Sequence, residues 1–196
     1  MKKLVKNLSL AMLALLVSVA SMAQAKWSVD KVHSSVKFSV AHMMVSEVEG
    51  SFKVFDGSLT ASKADLSDAS INFTVDVASV NTDNEFRDKH LKSDDFFNAE
   101  KFPQMKFVSK SFTPTGGKNY KLVGDLTMRD VTKTVTFDVT YGGQLDTGKG
   151  IKAGFKAKTT IDRTQFGVKF TGALAGGGLA VGNDVDITVL LEMNKQ

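Results

Sequence analysis

Hydrophobic and polar residues alternate with a period of two along most of this chain. The clearest example lies near the carboxyl end, where Val185, Ile187, Val189 and Leu191 share one parity and mostly polar residues take the other. This period is typical of a strand with one dry face and one wet face. The run Asp184–Glu192 therefore predicts a long, half-buried strand near the end of the chain.

Similar runs recur and predict an all-β domain of about eight strands, with no internal repeat. After a start at Trp27, the predicted strands are Ser35–His42, Gly50–Phe55, Ser58–Thr60, Ile71–Val77, one that starts at Pro103 and includes Met105 and Phe107, Tyr120–Met128, Thr132–Tyr141 and Ile151–Asp162.

Turns are predicted where glycine or a charged dipeptide interrupts the alternation. Asp56-Gly57 is a strong turn dipeptide, and Arg129-Asp130 is expected to turn the chain between two strands. Glycines 142–143 and 148–150 are expected to bound another connection. The Gly- and Ala-rich segment Thr171–Gly182 is expected to form a mobile loop.

One polar segment, Asn81–Phe97, departs from the strand pattern and predicts a short helical insertion. Thr82 or Asp83 is a candidate N-cap, and Glu85 and Lys89 have the i, i+4 spacing of a stabilising helical pair.

A sandwich and a closed barrel both fit this alternation. Strands of up to about ten residues favour a barrel, because eight of them enclose room for one small ligand. An outer-membrane barrel is disfavoured, because tyrosine and tryptophan total three and do not form girdles at the strand ends.

Residues 1–25 have the pattern of a secretory signal peptide. Lys2, Lys3 and Lys6 form a positive region, Leu8–Met22 is apolar, and Ala23-Gln24-Ala25 is an A-x-A cleavage site. The apolar run is shorter than the roughly 20 residues that a membrane-spanning helix needs. We therefore expect export with cleavage after Ala25, leaving residues 26–196 as a single domain.

Removing this segment changes the charge balance. Subtracting its three lysines from 25 basic residues leaves 22 against 21 acidic residues, a net charge of +1. The exported chain therefore gives no electrostatic reason to expect nucleic acid. The absence of cysteine excludes disulfides, thiolate zinc sites and cysteine nucleophiles.

Several segments, in the same order along residues 27–192, resemble the YceI-like family. They are His33–His42, Val48–Phe52, Phe55–Gly57, Arg87–Leu91, Phe96-Phe97, Phe102-Pro103, Asp125–Lys133 and Ile161–Gly167. The resemblance implies an extended lipocalin-like antiparallel barrel in the periplasm that binds a polyisoprenoid or a similar long amphiphile, such as a quinone. One departure is Thr171–Gly182, which looks longer and richer in glycine than the usual connection.

A carrier of this kind needs an apolar lining and a polar mouth. The candidate lining residues are Phe38, Val40, Phe73, Phe107, Phe137, Phe155 and Phe166; the alternative is that such rings fill an ordinary core. The candidate mouth residues are His42, Arg87, His90 and Arg163. Three of them have a structural alternative: a hydrogen-bonded histidine for His42, an ion pair with Asp83 for Arg87, and a turn anchor for Arg163.

Enzymatic interpretations find little support in the sequence. It has no nucleophile elbow, paired-histidine zinc motif or phosphate-binding glycine loop, and His33, His42 and His90 lack recognisable ligand spacing. We expect no catalysis, no metal and no catalytic cofactor. The expected partner is a lipid rather than nucleic acid. The protein is not expected to be membrane-embedded; a transient membrane contact and a homodimer stay open.

Two functions from different classes remain. The first is a periplasmic carrier of a long apolar lipid, and the second is a structural or interaction barrel filled by its own side chains.

Overall fold

The computed structural model describes residues 24–170, 172 and 177–196, which form an antiparallel β structure with one short α-helix. The strands are β1 (Ala25–Val29), β2 (Ser35–His42), β3 (Ser46–Phe52), β4 (Phe55–Ala61), β5 (Ser70–Asp76), β6 (Val80–Asn81), β7 (Gln104–Gly116), β8 (Asn119–Met128), β9 (Val131–Asp146), β10 (Ile151–Asp162) and β11 (Val181–Lys195). The helix is α1 (Glu85–Lys92), and two 3-10 helices span Val77–Ser79 and Arg163–Phe166.

Eight of these strands close into a barrel. Their order is β1-β4-β5-β7-β8-β9-β10-β11, and β11 pairs back with β1. The prediction of a lipocalin-like barrel is therefore confirmed, and the sandwich alternative is wrong. The strands β2, β3 and β6 continue the sheet beyond the ring from the edge of β11.

One edge of β11 is shared by two strands. Near its carboxyl end, β11 pairs with β1, and Trp27 lies opposite Lys195. Nearer its amino end, β11 pairs with β2, and Phe38 lies opposite Ile187. At the junction, the Ser34 hydroxyl accepts a hydrogen bond from the Glu192 amide at 3.0 Å. The backbone hydrogen bonds of β11 are thus continued by a side chain where the partner strand changes.

A cluster of charges fastens the same junction. The Lys152 ammonium donates to Asp30 at 2.8 Å and to Glu192 at 2.5 Å, and Asp30 lies 3.0 Å from the His33 ring nitrogen. The hydrogen bond from Lys152, followed by that from His33, holds the pKa of Asp30 well below its usual range. The same carboxylates raise the pKa of Lys152.

Two predicted turns are wrong in position. Asp56-Gly57 lies inside β4, and the break between strands falls at residues 53–54. Gly57 serves a packing role instead, because it lies against the ring of Phe73 on β5. Glycines 142–143 lie inside β9, so only residues 147–150 make that turn. Arg129-Asp130 does form the β8–β9 turn, with φ values of 50° and 58°, as a two-residue hairpin requires.

The helical insertion is confirmed, but its N-cap is Asn84 rather than Thr82 or Asp83. The Asn84 side chain accepts from the Arg87 amide at 3.0 Å. Thr82 is buried and donates through its hydroxyl to Asp88 at 2.6 Å, which ties α1 to β6.

The two ends of the barrel differ. At the end that we call the closed end, Leu66 is buried, and Tyr120 stacks on Phe112 while donating its hydroxyl to the Asp65 carbonyl at 2.8 Å. At the opposite end, called here the helical end, lie the β2–β3 and β8–β9 hairpins, the connection that carries α1, and the β10–β11 connection.

Two sequence predictions fall largely outside the described residues. The signal-peptide segment 1–25 is described only at Gln24 and Ala25, and Ala25 pairs with Ala61 as the first residue of β1. Of Thr171–Gly182, residue 172 and residues 177–182 are described, and β11 begins at Val181. Within the described ranges, no helix has the length and apolar character to cross a bilayer.

The junction cluster predicts a pH-dependent stability. Because the pKa of Asp30 is lowered in the folded state, its stabilising effect is present above the ordinary carboxyl pKa of about 3.9 and is lost as pH falls toward the lowered value. We expect Asp30→Asn to lower the melting temperature by a constant amount between about pH 5 and pH 9 and by less below about pH 4.

The matched control is Asp138→Asn, which removes an exposed ion pair with Lys121. Such a pair contributes only about 0–1 kcal/mol, so this variant is expected to melt close to wild type. An equal effect of Asp30→Asn at pH 2 and pH 7 would contradict the role given to the cluster.

Candidate ligand-binding cavity

A cavity of about 200 Å³ occupies the barrel interior. Along β11 its wall is formed by Val185, Ile187, Val189 and Leu191, which follow about 20 Å of strand. Among the described residues, its wall is apolar apart from three basic residues. These are Lys37, Lys106 and Arg163.

A second cavity of about 50 Å³ lies further toward the closed end, where Leu59, Phe112 and Met193 contribute to its wall. The two cavities share five wall residues. They are Ile71, Phe73, Leu122, Ala157 and Leu191. The two cavities therefore adjoin along the barrel interior, and together we call them the bore.

Most of the predicted lining residues lie on these walls. Phe38, Val40, Phe73, Phe107 and Phe137 line the main cavity. Their contact with a ligand stays a prediction.

Two predicted lining residues lie elsewhere. Phe155 lines the smaller cavity, because it lies further along β10 toward the closed end. Phe166 lines neither cavity and is only 2% exposed within the core. The period of two on which this prediction rests ends at Asp162, where β10 gives way to a 3-10 helix, and a ligand contact by Phe166 stays a prediction.

Three of the wall rings lie over glycines of neighbouring strands. The pairs are Phe38 with Gly50, Phe73 with Gly57 and Phe107 with Gly124. A Cβ added to any of these glycines would overlap the ring. The rings therefore occupy space that a side chain would otherwise fill, and less of each ring projects into the bore.

Arg163 is the buried cation of the main cavity. Its guanidinium donates to the carbonyl oxygens of Gly182 at 2.7 Å, Val168 at 2.8 Å, Phe170 at 2.7 Å and Val181 at 3.0 Å. Burial lowers the pKa of Arg163 from its usual value. These contacts match the alternative in which Arg163 anchors a turn, because its side chain holds the two sides of the β10–β11 connection together.

Comparison with known proteins decides the family. A sequence model of the YceI-like domain matches residues 27–193. The chain belongs to the YceI-like family. A UPF0312 protein of Staphylococcus aureus (strain USA300) is 38% identical over 169 residues, covering 84% of this chain and 95% of the relative.

Solved structures with the same fold include BcnA of Burkholderia cenocepacia, with a TM-score of 0.73 and 29% identity, covering 84% of this chain and 98% of that one. A polyisoprenoid binding domain from Saccharophagus degradans has a TM-score of 0.64 at 12% identity, covering 87% of this chain and 98% of that one. At that identity the second likeness shows the fold alone.

Sequence reasoning missed part of the wall of this YceI-like domain. Leu91, Phe96 and Phe97, from the helical connection, cover the main cavity. Phe97 packs edge-on against Phe52 at 5.8 Å, and Arg129 donates to the Asp94 carbonyl at 2.8 Å, holding this connection to the β8–β9 turn. The Phe96-Phe97 pair is evident in the sequence. It lies in an irregular connection, however, where no alternation of side chains indicates which of them point into the barrel.

The other predicted mouth residues are not brought together around the cavity. His42 is half-buried at the end of β2, and it does not line the wall. Arg87 does not pair with Asp83; it donates to the hydroxyl and carbonyl oxygens of Thr82, each at 2.8 Å. A headgroup contact by these residues stays a prediction.

His90 faces the outside of the helical end. It lies 2.9 Å from Asp95, and its ring packs edge-on against Phe96 and Phe170 at 5.0 and 5.1 Å. The ring thus links the helical connection to the β10–β11 connection.

One group of metal-ligating residue types occurs among the described residues. Its members are Asp30, His33 and Glu192. The Lys152 ammonium donates to both carboxylates, so each of them is already paired with a cation of the protein itself.

The ring–glycine packing predicts the effect of adding one methyl group. Gly50→Ala is expected to push Phe38 toward the bore and to lower the free energy of unfolding by about 1–3 kcal/mol. Urea denaturation measures this effect. The control is Gly154→Ala on β10, where the added methyl group meets no atom within 4 Å; its effect should stay within about 1 kcal/mol. Equal effects of the two variants would contradict the packing role.

Arg163 and Arg87 can be compared directly. Arg163→Met is expected to lower the free energy of unfolding by at least about 3 kcal/mol, because one buried and three part-buried carbonyl oxygens lose a charged donor. Arg87→Met leaves only the oxygens of Thr82 without a donor and should cost roughly half as much or less. Thermal and urea unfolding give both values, and a reversed order would show that Arg163 does not hold the connection.

Proposed function

We propose that this YceI-like domain is a periplasmic carrier of a long-chain isoprenoid or a similar amphiphilic lipid, such as a quinone. The observation that carries the proposal is the narrow apolar cavity that follows β11 inside a closed barrel. We propose binding rather than catalysis.

The size of the cavity supports a bound ligand over a filled core. An apolar cavity of about 150 Å³ in a protein interior holds benzene and excludes water. The main cavity here is about 200 Å³, and the neighbouring one adds about 50 Å³. This argues against the alternative of a structural barrel filled by its own side chains.

The shape of the cavity favours a linear chain. A volume of about 200 Å³ spread along about 20 Å of strand leaves a narrow bore. A compact ring system would need a wider space at one level of the barrel. An isoprenoid tail instead offers a thin, branched hydrocarbon chain.

Free energies indicate that the chain must be long. Each buried methylene contributes about 0.8 kcal/mol, so a five-carbon unit contributes about 4 kcal/mol. Association costs about 4–15 kcal/mol in lost translational and rotational freedom. One unit barely offsets the low end of that cost, whereas four units, at about 16 kcal/mol, exceed the whole range and leave a net affinity.

A protein of the same fold supports the ligand class. The Saccharophagus degradans structure is that of a polyisoprenoid binding domain. Because the two sequences are only 12% identical, the ligand class of that domain supports the proposal but does not assign a ligand to this chain. The proposed location rests on residues 1–25, whose basic, apolar and A-x-A regions match a cleaved export signal.

The test of this function is to identify what the protein carries. The protein is purified gently from the periplasm, denatured and extracted with organic solvent, and the extract is analysed by mass spectrometry. We expect an isoprenoid or quinone in stoichiometric amount. An empty extract, together with no uptake of added polyprenyl lipid, would favour the structural or interaction barrel.

A cavity-filling substitution tests where the ligand lies. Ala157 lines both cavities, so Ala157→Leu places three additional carbon atoms in the bore. If these displace three ligand carbons at about 0.8 kcal/mol each, affinity for geranylgeraniol should fall on the order of 50-fold.

The control is Lys156→Met, at the neighbouring exposed position of β10. It should bind geranylgeraniol as wild type does in a fluorescence competition assay. Unchanged affinity in a correctly folded Ala157→Leu protein would place the ligand outside the cavity.

A further inference from the structure

Large apolar side chains are exposed at two places on the helical end. The β2–β3 hairpin tip carries Met43, Met44 and Val45, which are 45%, 73% and 85% exposed, and α1 carries Phe86, which is 90% exposed. We call these four side chains the rim patch. Exposed apolar groups gathered at one end of a protein mark a surface that meets something other than water.

The hairpin part of the rim patch borders the cavity. Val40, three residues before Met43, lies on the wall, and so does Val181, which pairs with His42. The Met43 amide donates to the Ala180 carbonyl at 2.9 Å, which fixes the tip to the start of β11.

The helix places Phe86 on the opposite side from the cavity. Leu91 of α1 lies on the cavity wall. Phe86 precedes it by five residues, which turns the two side chains roughly 140° apart at 3.6 residues per turn. The helix therefore has one side chain toward the bore and one directed away from it.

The conformation of the tip adds a second observation. Met43 and Met44 have φ values of 52° and 61°. These lie in the left-handed region, where the backbone strain of glycine or asparagine is lower than that of methionine. Large apolar side chains thus stand at two positions where the backbone alone favours a small or polar residue.

We propose that the rim patch inserts into the surface of a lipid bilayer, with the helical end of the barrel facing the membrane. The inference rests on the proposed function, because a water-insoluble isoprenoid enters and leaves a carrier most directly at a membrane surface. The bilayer is favoured over a second copy of the chain by area. Four side chains on two protrusions offer a few hundred Å², whereas a stable interface needs about 800 Å² per partner.

Charges around the rim patch predict how this docking depends on salt. On α1 the basic residues Arg87, Lys89 and Lys92 are accompanied by acidic residues, and β3 adds Glu47 and Glu49. With both signs present, apolar insertion rather than attraction to anionic lipid should dominate. Binding should therefore persist in high salt.

The experiment is flotation of the chain from Gln24 onward with cargo-free phosphatidylcholine–phosphatidylglycerol vesicles. This chain retains every strand of the barrel and lacks the apolar segment before it. Wild type should float with the vesicles at low and high salt. Met44→Asn combined with Val45→Ser, and separately Phe86→Ser, should each weaken binding by on the order of tenfold or more. Asparagine suits the positive φ at position 44.

The matched control is Leu145→Ser. Leu145 is 68% exposed on β9 near the closed end, so its loss should leave vesicle binding unchanged. Docking is overturned if wild type stays with the unbound fraction, if the rim variants float as wild type, or if Leu145→Ser binds equally poorly. It is also overturned, in favour of a second copy, if the rim variants abolish a dimer seen by light scattering without changing flotation.

Uptake of geranylgeraniol from detergent separates this inference from the carrier function. Rim variants that take up the lipid normally but do not float support docking as a separate step. If wild type floats but takes up no lipid, the result supports membrane docking and contradicts the proposed carrier function.

Discussion

The divided edge of β11 is the constraint on which the rest of the barrel depends. One strand must satisfy its backbone with β1 near the closed end and with β2 near the helical end. Ser34 and the charges around Asp30 bridge the interval where neither strand is in register. Because the strand partner changes there, the ring of strands closes through β1 on one side of the junction, and the sheet extends past the ring through β2 on the other side.

At the helical end, Arg163 and Arg129 donate mainly to backbone oxygens, and the Asp94 carboxylate that also pairs with Arg129 is exposed. Arg163 donates to two carbonyl oxygens of the β10–β11 connection and two at the start of β11, and Arg129 donates to the connection that carries Phe96. Carbonyl acceptors fix the path of a chain without introducing a negative charge beside an apolar space. The cavity therefore has a well-defined cover and keeps a wall of low polarity.

The features that could be predicted from sequence are those set by a local period. The alternation around Ile187 located β11 and its inward face, and the same reasoning placed Phe38 and Phe107 on the cavity wall. The features that could not be predicted depend on distant contacts. Asp56-Gly57 has the composition of a turn, but the ring of Phe73, on another strand, takes the space beside Gly57. Phe97 lies in an irregular segment, where only tertiary packing decides which way a side chain points.

The phenylalanine rings that pack against glycines affect how substitutions can alter the cavity of this fold. The bore is lined at three positions by a phenylalanine that lies in space left by a residue with no side chain. A single substitution at Gly50, Gly57 or Gly124 would narrow it without altering any aromatic residue on the wall. For the proposed carrier function, the width of an acceptable ligand would therefore depend partly on positions that contribute no side chain of their own, and relatives with the same wall residues could differ in cargo.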